Sequence, residues 1–361
     1  DWSKFKHTGN APSGQSVLLQ NMTGINVDHY TGAKEISSTG THEYTIDTDT
    51  NTATAKQILY GGYQFKDANT TPTTGNALAD IWAGRSVIGN TTTNNTLTIN
   101  GTTHRDAYGG WTAGTGTTAA AKNDSTNNTV NLKAGTVRTI YGGFTSVQTG
   151  SATGNKVTIS GGAVTGAGYG KVYGGYLSHA SATGSATGNT VTITGGSMTD
   201  VYGGFTNGTG ATTGNTVNLG TATNAVASST TIGTIYGGSK PTATNNTLNV
   251  YDSVTASNIK NFDTVNFKAT SSHIAAGDTL LTLNGGATSL DWKKLHVDNL
   301  DSLNASATSD TILTLMRHTA NNINLANYST TGTRGRIHSV DYEADIMTDG
   351  NSATTQNIYL K

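Results

Sequence analysis

Short segments in which polar and apolar residues alternate recur along the middle of the chain. Each begins with Asn and has the form Asn-x-apolar-x-apolar, as in Asn128-Thr129-Val130-Asn131-Leu132. A period of two places the apolar side chains on one face of an extended strand and the polar side chains on the other. We therefore predict one half-buried strand after each of these Asn residues: Asn95, Asn128, Asn155, Asn189, Asn215 and Asn246.

A second motif, Tyr-Gly-Gly, alternates with the Asn-led segments. The successive copies from Tyr108 onward begin 33, 32, 29 and 34 residues apart, and an aromatic residue follows most of them directly. Such a regular period indicates an internal structural repeat. The Tyr residues of the six copies are Tyr60, Tyr108, Tyr141, Tyr173, Tyr202 and Tyr236.

The repeat predicts the fold class. A unit of two or three short strands cannot bury its apolar face alone, and stacking on its neighbours buries it. We expect an all-β, single elongated repeat domain, a β-solenoid, with capped ends because a terminal strand would otherwise leave an open edge. A β-propeller is the alternative, but the variable unit lengths suit a closed ring poorly. The Gly, Thr and Asn content disfavours helical repeats.

The residue pattern divides the chain into three parts. We assign residues 1–57 to an N-terminal cap and the first coils, residues 58–250 to the Tyr-Gly-Gly coils, and residues 251–361 to C-terminal coils and a cap. In the last part acids and bases become more frequent. The segment from Ser289 to Leu295 favours a turn of helix, and Trp292 is a candidate plug for the end of the stack.

Composition and charge exclude several function classes. The net charge of −1 and the lack of any Lys/Arg run disfavour nucleic-acid binding. No stretch of about 18 apolar residues occurs, so we expect no direct membrane insertion by this segment. The chain has no Cys, and its start at Asp1 lacks a hydrophobic signal core, so we expect that any export signal has been removed.

Catalytic motifs are missing from the sequence. There is no Gly-x-Ser-x-Gly elbow and no His-Glu-x-x-His pair, and the nine His residues show no metal-ligand spacing. Between residues 107 and 251 the acids are Asp124 and Asp200 alone, which leaves little for acid–base catalysis. We expect a protein that is not an enzyme and needs no cofactor or metal.

The repeats resemble those of type V autotransporter passenger domains of Gram-negative bacteria. The Tyr-Gly-Gly and Gly-Asn-x-Val-x-Ile copies carry the resemblance, together with the segment from Ile259 to Phe267 and Leu280-Leu281-Thr282-Leu283. It covers about residues 58 to 290. The resemblance implies a right-handed parallel β-helix that is secreted to the bacterial cell surface. There it would be tethered to the outer membrane by a barrel that is not part of this chain.

The Tyr residues allow two interpretations. They could form an exposed aromatic stripe that binds a ligand, with Tyr108, Tyr141, Tyr173, Tyr202 and Tyr236 as the candidate binding residues. Alternatively, the rings form a structural stack and the Gly-Gly pair forms the corner where the chain bends. For the Asn residues we favour a corner ladder of side-chain amides over a binding row. That ladder would contain Asn94, Asn95, Asn127, Asn128, Asn155, Asn189 and Asn215.

The resemblance further implies a role in adhesion or aggregation. We expect a non-enzymatic adhesin that binds a host or bacterial surface protein or glycan along the repeat or its loops. A self-associating aggregation module of biofilms is the first alternative, in which Thr and Asn ladders of neighbouring molecules join through many weak hydrogen bonds. A carbohydrate-active β-helix enzyme is the second alternative.

Overall fold

The chain is all-β in the part that the structure describes. The computed structural model describes residues 14–22, 33–37, 46–47, 57–64, 81–86, 91–100, 102–113, 124–268, 273–275, 277–298, 313–328, 331–337, 340–348 and 356–360. These residues form many short strands and a three-residue 3-10 helix, Trp292–Lys294, with no α-helix among them. The prediction of an all-β chain is therefore confirmed.

The strands are numbered in chain order. Those of the first half are β1 (Gly14–Met22), β2 (Ala33–Ser37), β3 (Ile46–Asp47), β4 (Gln57–Gln64), β5 (Ile81–Ser86), β6 (Thr92–Thr93), β7 (Thr96–Asn100), β8 (Thr102–Thr112), β9 (Ser125–Thr126), β10 (Thr129–Leu132), β11 (Gly135–Thr145), β12 (Ala152–Thr153), β13 (Lys156–Ile159), β14 (Ala163–Val164), β15 (Lys171–Leu177) and β16 (Ala186–Thr187).

Those of the second half are β17 (Thr190–Ile193), β18 (Ser197–Thr206), β19 (Thr216–Leu219), β20 (Thr231–Gly238), β21 (Thr247–Val250), β22 (Val254–Lys260), β23 (Thr264–Lys268), β24 (Thr279–Leu283), β25 (Thr288–Asp291), β26 (Leu295–Asp298), β27 (Leu313–His318), β28 (Ile323–Ala326), β29 (Thr331–Ile337), β30 (Val340–Thr348) and β31 (Gln356–Leu360).

The Asn-led strands stack in one parallel sheet, which we call the Asn sheet. Its order is β2-β7-β10-β13-β17-β19-β21-β23-β26, and equivalent residues of successive repeats pair with one another. In β10, for example, Val130 and Leu132 are buried and Thr129 and Asn131 are half-buried. The alternation in the sequence thus becomes a buried face and an outer face, as predicted.

The Tyr-Gly-Gly strands form a second parallel sheet, the Tyr sheet. It runs through β5, β8, β11, β14 and β15 together, β18, β20, β22, β24 and β27. A coil, as used below, is one strand of the Asn sheet with the Tyr-sheet strand that follows it. Apolar residues of both sheets, such as Val130, Ile140 and Val157, belong to one buried core cluster. Parallel strands in stacked sheets are compatible with a β-solenoid.

A ladder of buried side-chain amides runs through the stack. It begins at Asn95, whose Nδ2 donates to Oδ1 of Asn128 at 2.9 Å. The same bond repeats between the later pairs at 3.1, 3.0, 3.0 and 3.1 Å. The Oδ1 that accepts this bond also accepts the backbone N–H of the same donor residue, as Asn128 Oδ1 accepts from Asn95 N. Each Nδ2 from Asn128 onward also donates to a backbone carbonyl. The predicted amide ladder is confirmed, with these members: Asn95, Asn128, Asn155, Asn189, Asn215 and Asn246.

Asn94 and Asn127 do not belong to this ladder, contrary to the prediction. They are exposed and have φ angles of 59° and 55°, at the turn immediately before the buried Asn. Gly154, Gly188 and Gly214 hold the same turn with φ near 66°. Asn and Gly tolerate this left-handed conformation best, so the bend falls on these residues.

The Gly-Gly pairs lie within strands and not at corners, which corrects the second interpretation of the Tyr motif. A Cβ at Gly142 would lie 2.5 Å from the carbonyl oxygen of Gly174, and one at Gly143 would overlap the Asn155 side chain. The two glycines leave room for the amide ladder to pack directly on the Tyr strand. The first glycine is therefore required by the close approach of the next Tyr strand, and the second by the packing of the amide ladder on the Tyr strand.

The ends of the chain differ from the repeats. The strands β1, β4 and β3 form an antiparallel sheet, and the Tyr sheet becomes antiparallel from β27 through β31 and β30 to β29. Much of the predicted N-terminal cap lies outside the described residues. Near the C-terminal end, the expected helical turn is the 3-10 helix, where the indole of Trp292 is buried and packs edge-on against Tyr328.

Candidate functional site

The predicted Tyr residues lie in register on consecutive strands of the Tyr sheet. Tyr141 pairs with Tyr108 and Tyr173, and Tyr202 pairs with Tyr173 and Tyr236. Their ring centroids are 4.8, 5.2, 5.1 and 4.4 Å apart along the stack, with nearly parallel planes. The predicted stacking of these Tyr residues as vertical neighbours is confirmed.

The Tyr column is less exposed than a binding stripe requires. The residue before each Tyr, such as Val172 or Val201, belongs to the core cluster, so the Tyr ring lies on the opposite, outer face of the strand. Nevertheless the exposed fractions of Tyr108, Tyr173 and Tyr202 are only 7%, 6% and 8%. Of the two interpretations of the Tyr motif, this burial favours the structural stack of rings, because neighbouring rings cover one another. Tyr141 and Tyr236 are half-buried.

A second aromatic column covers the first and is more accessible. Its members, all half-buried, directly follow the Gly-Gly pairs: Trp111, Phe144, Tyr176 and Phe205. Successive centroids are 6.2, 5.5 and 5.0 Å apart in stacked geometry. Phe144, Tyr176 and Phe205 each also meet Tyr rings of the first column edge-on, as Phe205 meets Tyr202 at 5.1 Å. These residues were visible in the sequence as the aromatic residue after each motif, but they were not chosen as site residues.

A polar column borders the Tyr column on its other side. It consists of the residues two positions before each Tyr, which pair with one another in register: Asp106, Thr139, Lys171, Asp200 and Thr234. Lys171 Nζ lies 3.8 Å from Oδ2 of Asp200. Asp106 forms a bidentate pair with Arg138, whose Nε donates to Oδ1 at 2.9 Å. We call the three columns together the aromatic face.

Burial controls the protonation of the aromatic face. It is the largest cause that raises the pKa values of the Tyr141, Tyr173 and Tyr202 phenols, and the nearby carboxylates act in the same direction. Asp106 is the nearby carboxylate for Tyr141, and Asp200 for the other two. Burial also raises the pKa of Tyr176, opposed by its hydrogen bond with Asn207. The phenols therefore stay neutral hydrogen-bonding groups at physiological pH.

The outer face of the Asn sheet is a second regular surface. Two half-exposed polar columns run along it, and amide side chains link neighbours within the second: Asn249 Nδ2 donates to Asn218 at 2.8 Å, and Asn266 Nδ2 to Asn249 at 2.9 Å. We call this surface the polar face. Its columns are Thr96, Thr129, Lys156, Thr190, Thr216, Thr247 and Thr264, and Thr98, Asn131, Thr158, Thr192, Asn218, Asn249 and Asn266.

In the part of the chain that the structure describes, no group of three or more His, Asp or Glu residues is arranged to hold a metal ion. Likewise, none of its helices is long and apolar enough to cross a bilayer.

Comparison with known proteins found no matching family model, no similar curated protein and no similar solved structure. The function is therefore inferred from the geometry of the two faces.

Proposed function

We propose that this chain is the ligand-binding part of a bacterial surface adhesin of the autotransporter passenger type. In this proposal it folds as a right-handed parallel β-helix with caps formed by the antiparallel strands at its ends. It is displayed on the cell surface, binds a glycan or protein of a host or bacterial surface, and catalyses no reaction.

The observation that carries the proposal is the aromatic face. Its outer rings, Phe144, Tyr176 and Phe205, are half-buried and stack at 5.0 to 5.5 Å on consecutive coils. Aromatic side chains that remain partly exposed in a contiguous row offer a flat apolar surface to a partner. The rings are rigid because they pack on the Tyr column, so little conformational entropy is lost when a ligand binds.

The polar column makes this surface specific. Lys171 and Asp200 are half-buried beside the rings, within reach of the groups of a ligand that lies on the aromatic face. Because an outer ring, a Tyr ring and a residue of the polar column recur on consecutive coils, one long ligand or several short ones could contact several coils at once. Repeated weak contacts of this kind add up to a strong attachment.

The test is to remove the outer rings while keeping the fold. We would replace Phe144, Tyr176 and Phe205 by Ser, since the coil of Tyr236 already carries Ser239 at this position. The variant should bind glycan arrays, surface-protein arrays and cells at least tenfold more weakly than the parent chain, with an unchanged β-type circular dichroism spectrum.

A matched triple on the polar face serves as the control. Asn131, Thr158 and Thr192, also half-buried and also on consecutive coils, would be replaced by Ser. Binding should persist in this control. Equal binding by the aromatic variant and the parent chain would contradict the proposal.

The polar face favours self-association as a second candidate function. Its hydroxyl and amide groups repeat at the strand spacing of about 4.8 Å, so a second copy of the chain presents the same period. Many weak hydrogen bonds between two such faces could hold two molecules together.

Charge insertion tests this candidate. Lys156 already lies in the first polar column, so Lys is sterically acceptable there. Thr190→Lys, Thr216→Lys and Thr247→Lys together should abolish concentration-dependent clumping of coated beads. The same charge added at the exposed residues Ala180, Ala222 and Ala225 is the control, and it should leave clumping intact. Clumping that survives the first triple would eliminate this candidate.

A further inference from the structure

One coil interrupts the regular aromatic face with a loop. Val164 pairs with Val137 below it, and Lys171 pairs with Thr139, so residues 165–170 stand opposite Arg138 alone. Toward the next coil, the same six residues stand opposite Thr199. The loop is thus an insertion of five residues relative to both neighbouring coils.

The loop has a defined turn. The N–H of Tyr169 donates to the carbonyl of Gly166, and the N–H of Gly170 donates to the carbonyl of Arg138, both at 2.9 Å. Gly168 and Gly170 have φ angles of 76° and 86°, which few other residues adopt. These bonds hold the loop beside Arg138, whose guanidinium reaches Asp106 in the polar column.

Tyr169 is the exposed ring that the columns themselves lack. Its exposed fraction is 44%, and the guanidinium carbon of Arg138 lies 4.0 Å from its ring centroid. Arg138 is itself held by the bidentate bond to Asp106. The position of the ring is therefore fixed through Arg138 by a carboxylate that is only 5% exposed.

A buried hydroxyl marks the same place. Thr139 lies in the polar column between Asp106 and Lys171, on the face of the strand that carries Tyr141. Only 2% of Thr139 is exposed, and its hydroxyl is a side-chain hydrogen-bond neighbour of the Tyr141 phenol, so it supports the Tyr column beneath the site.

We propose that Tyr169, Arg138, Asp106, Lys171 and Asp200 form a binding subsite for a neutral saccharide. The inference rests on the proposed adhesive function and names the ligand class for one place on the aromatic face. A sugar ring stacks its C–H groups on an exposed aromatic ring, and its hydroxyls bond to carboxylate oxygens, N–H groups and hydroxyls held in fixed directions. The site offers all of these groups.

The pairing of charges selects a neutral ligand. Arg138 is paired with Asp106 and Lys171 with Asp200, so each of these two bases is already balanced by a carboxylate within the cluster. An acidic sugar would have to compete with these carboxylates for the bases. A neutral sugar can instead accept and donate hydrogen bonds while both pairs stay intact.

The experiment measures binding of the full chain to an array of neutral oligosaccharides, with sialylated and sulfated oligosaccharides as separate arms. Tyr169→Ala should weaken binding to the neutral arm at least tenfold, and Tyr169→Phe should keep it. Tyr328→Ala, at a Tyr of similar exposure, is the matched control and should keep it too. Replacing residues 165–170 by a single Thr, the residue of the next coil, should abolish the binding without unfolding the stack.

The outcomes separate this inference from the proposed function. Unchanged neutral-glycan binding by Tyr169→Ala, or binding confined to the acidic arms, overturns the subsite. If the triple change at Phe144, Tyr176 and Phe205 abolishes surface binding while Tyr169→Ala does not, the adhesive function stands and the subsite falls. If the parent chain binds no glycan, protein or cell, both fall.

Discussion

The interior amide ladder and the aromatic face run along the same coils, but they are built by opposite rules. In the ladder every coil from Asn95 to Asn246 supplies the same buried residue, and the inner members from Asn128 to Asn215 repeat the same bonds. On the aromatic face the outer column changes from Trp111 through Phe144 and Tyr176 to Phe205, then to Ser239. One coil even adds the loop with Tyr169.

The difference shows where the stack tolerates change. A buried amide must satisfy two N–H donors and one carbonyl acceptor of neighbouring coils at once, and few side chains other than Asn can do this. An outer ring needs only to cover its neighbours, and water can replace part of that contact. Sequence variation among coils is therefore concentrated on the outer face, where the packing tolerates it.

The largest effect should come from breaking the ladder in its middle. Oδ1 of Asn155 accepts from the backbone N–H and Nδ2 of Asn128, and Nδ2 of Asn155 donates to the Ser125 carbonyl and to Asn189. Asn155→Ala should lower the free energy of unfolding by about 3 kcal/mol or more, since buried groups lose their partners.

Denaturant unfolding of Asn155→Ala and Asn131→Ala would measure this. Asn131 lies on the polar face, and its side-chain hydrogen bond to Thr98 is long at 3.4 Å. We expect this control to lose less than about 1 kcal/mol. Equal losses in the two variants would show that the amide ladder contributes no more to stability than the polar face does.

An intermediate effect should appear at alkaline pH, and it belongs to the aromatic face. Burial raises the pKa values of Tyr141, Tyr173 and Tyr202 in the folded chain above the value of about 10 for an exposed Tyr. The unfolded chain thus releases these protons first, so the stability contribution is complete below about pH 10 and is lost as the pH rises further. Each Tyr should contribute up to about 1.4 kcal/mol per pH unit to this decline.

Thermal unfolding between pH 8 and 11 would check the sign and the origin. Replacing Tyr141, Tyr173 and Tyr202 by Phe should flatten the decline, because Phe has no proton to lose. Replacing the exposed Tyr169 by Phe should not. A decline that the triple change leaves untouched would assign it to other groups.

The smallest effect should come from the ion pair at the border of the aromatic face. Lys171 and Asp200 are 3.8 Å apart and both are partly exposed, so the pair is screened by water and salt. Lys171→Ala should cost less than about 1 kcal/mol in urea unfolding, and the cost should shrink in 1 M salt. A loss comparable to that of Asn155→Ala would remove the contrast between the two regions.

Particular residues show how far the sequence could predict this protein. The alternation at Asn128 to Leu132 and the period of the Tyr motif were sufficient for the stacked parallel strands, since both are local patterns. The amide ladder could be predicted because Asn recurs at one fixed place in every unit. The exposure of the Tyr rings could not, since Phe144 and Tyr176 cover Tyr141 from different coils.

By itself, the sequence determined the strand type, the repeat and the vertical neighbours, because these follow from side-chain alternation and from residues that recur at matching positions. Only the tertiary structure decided which groups pack against each Gly-Gly pair and where the loop with Tyr169 lies. A Gly in the sequence does not say what will approach it. The Asn155 amide lies against Gly143 only after the two sheets have packed together. Likewise Tyr169 meets Arg138 only across two coils, through a contact that no local pattern encodes.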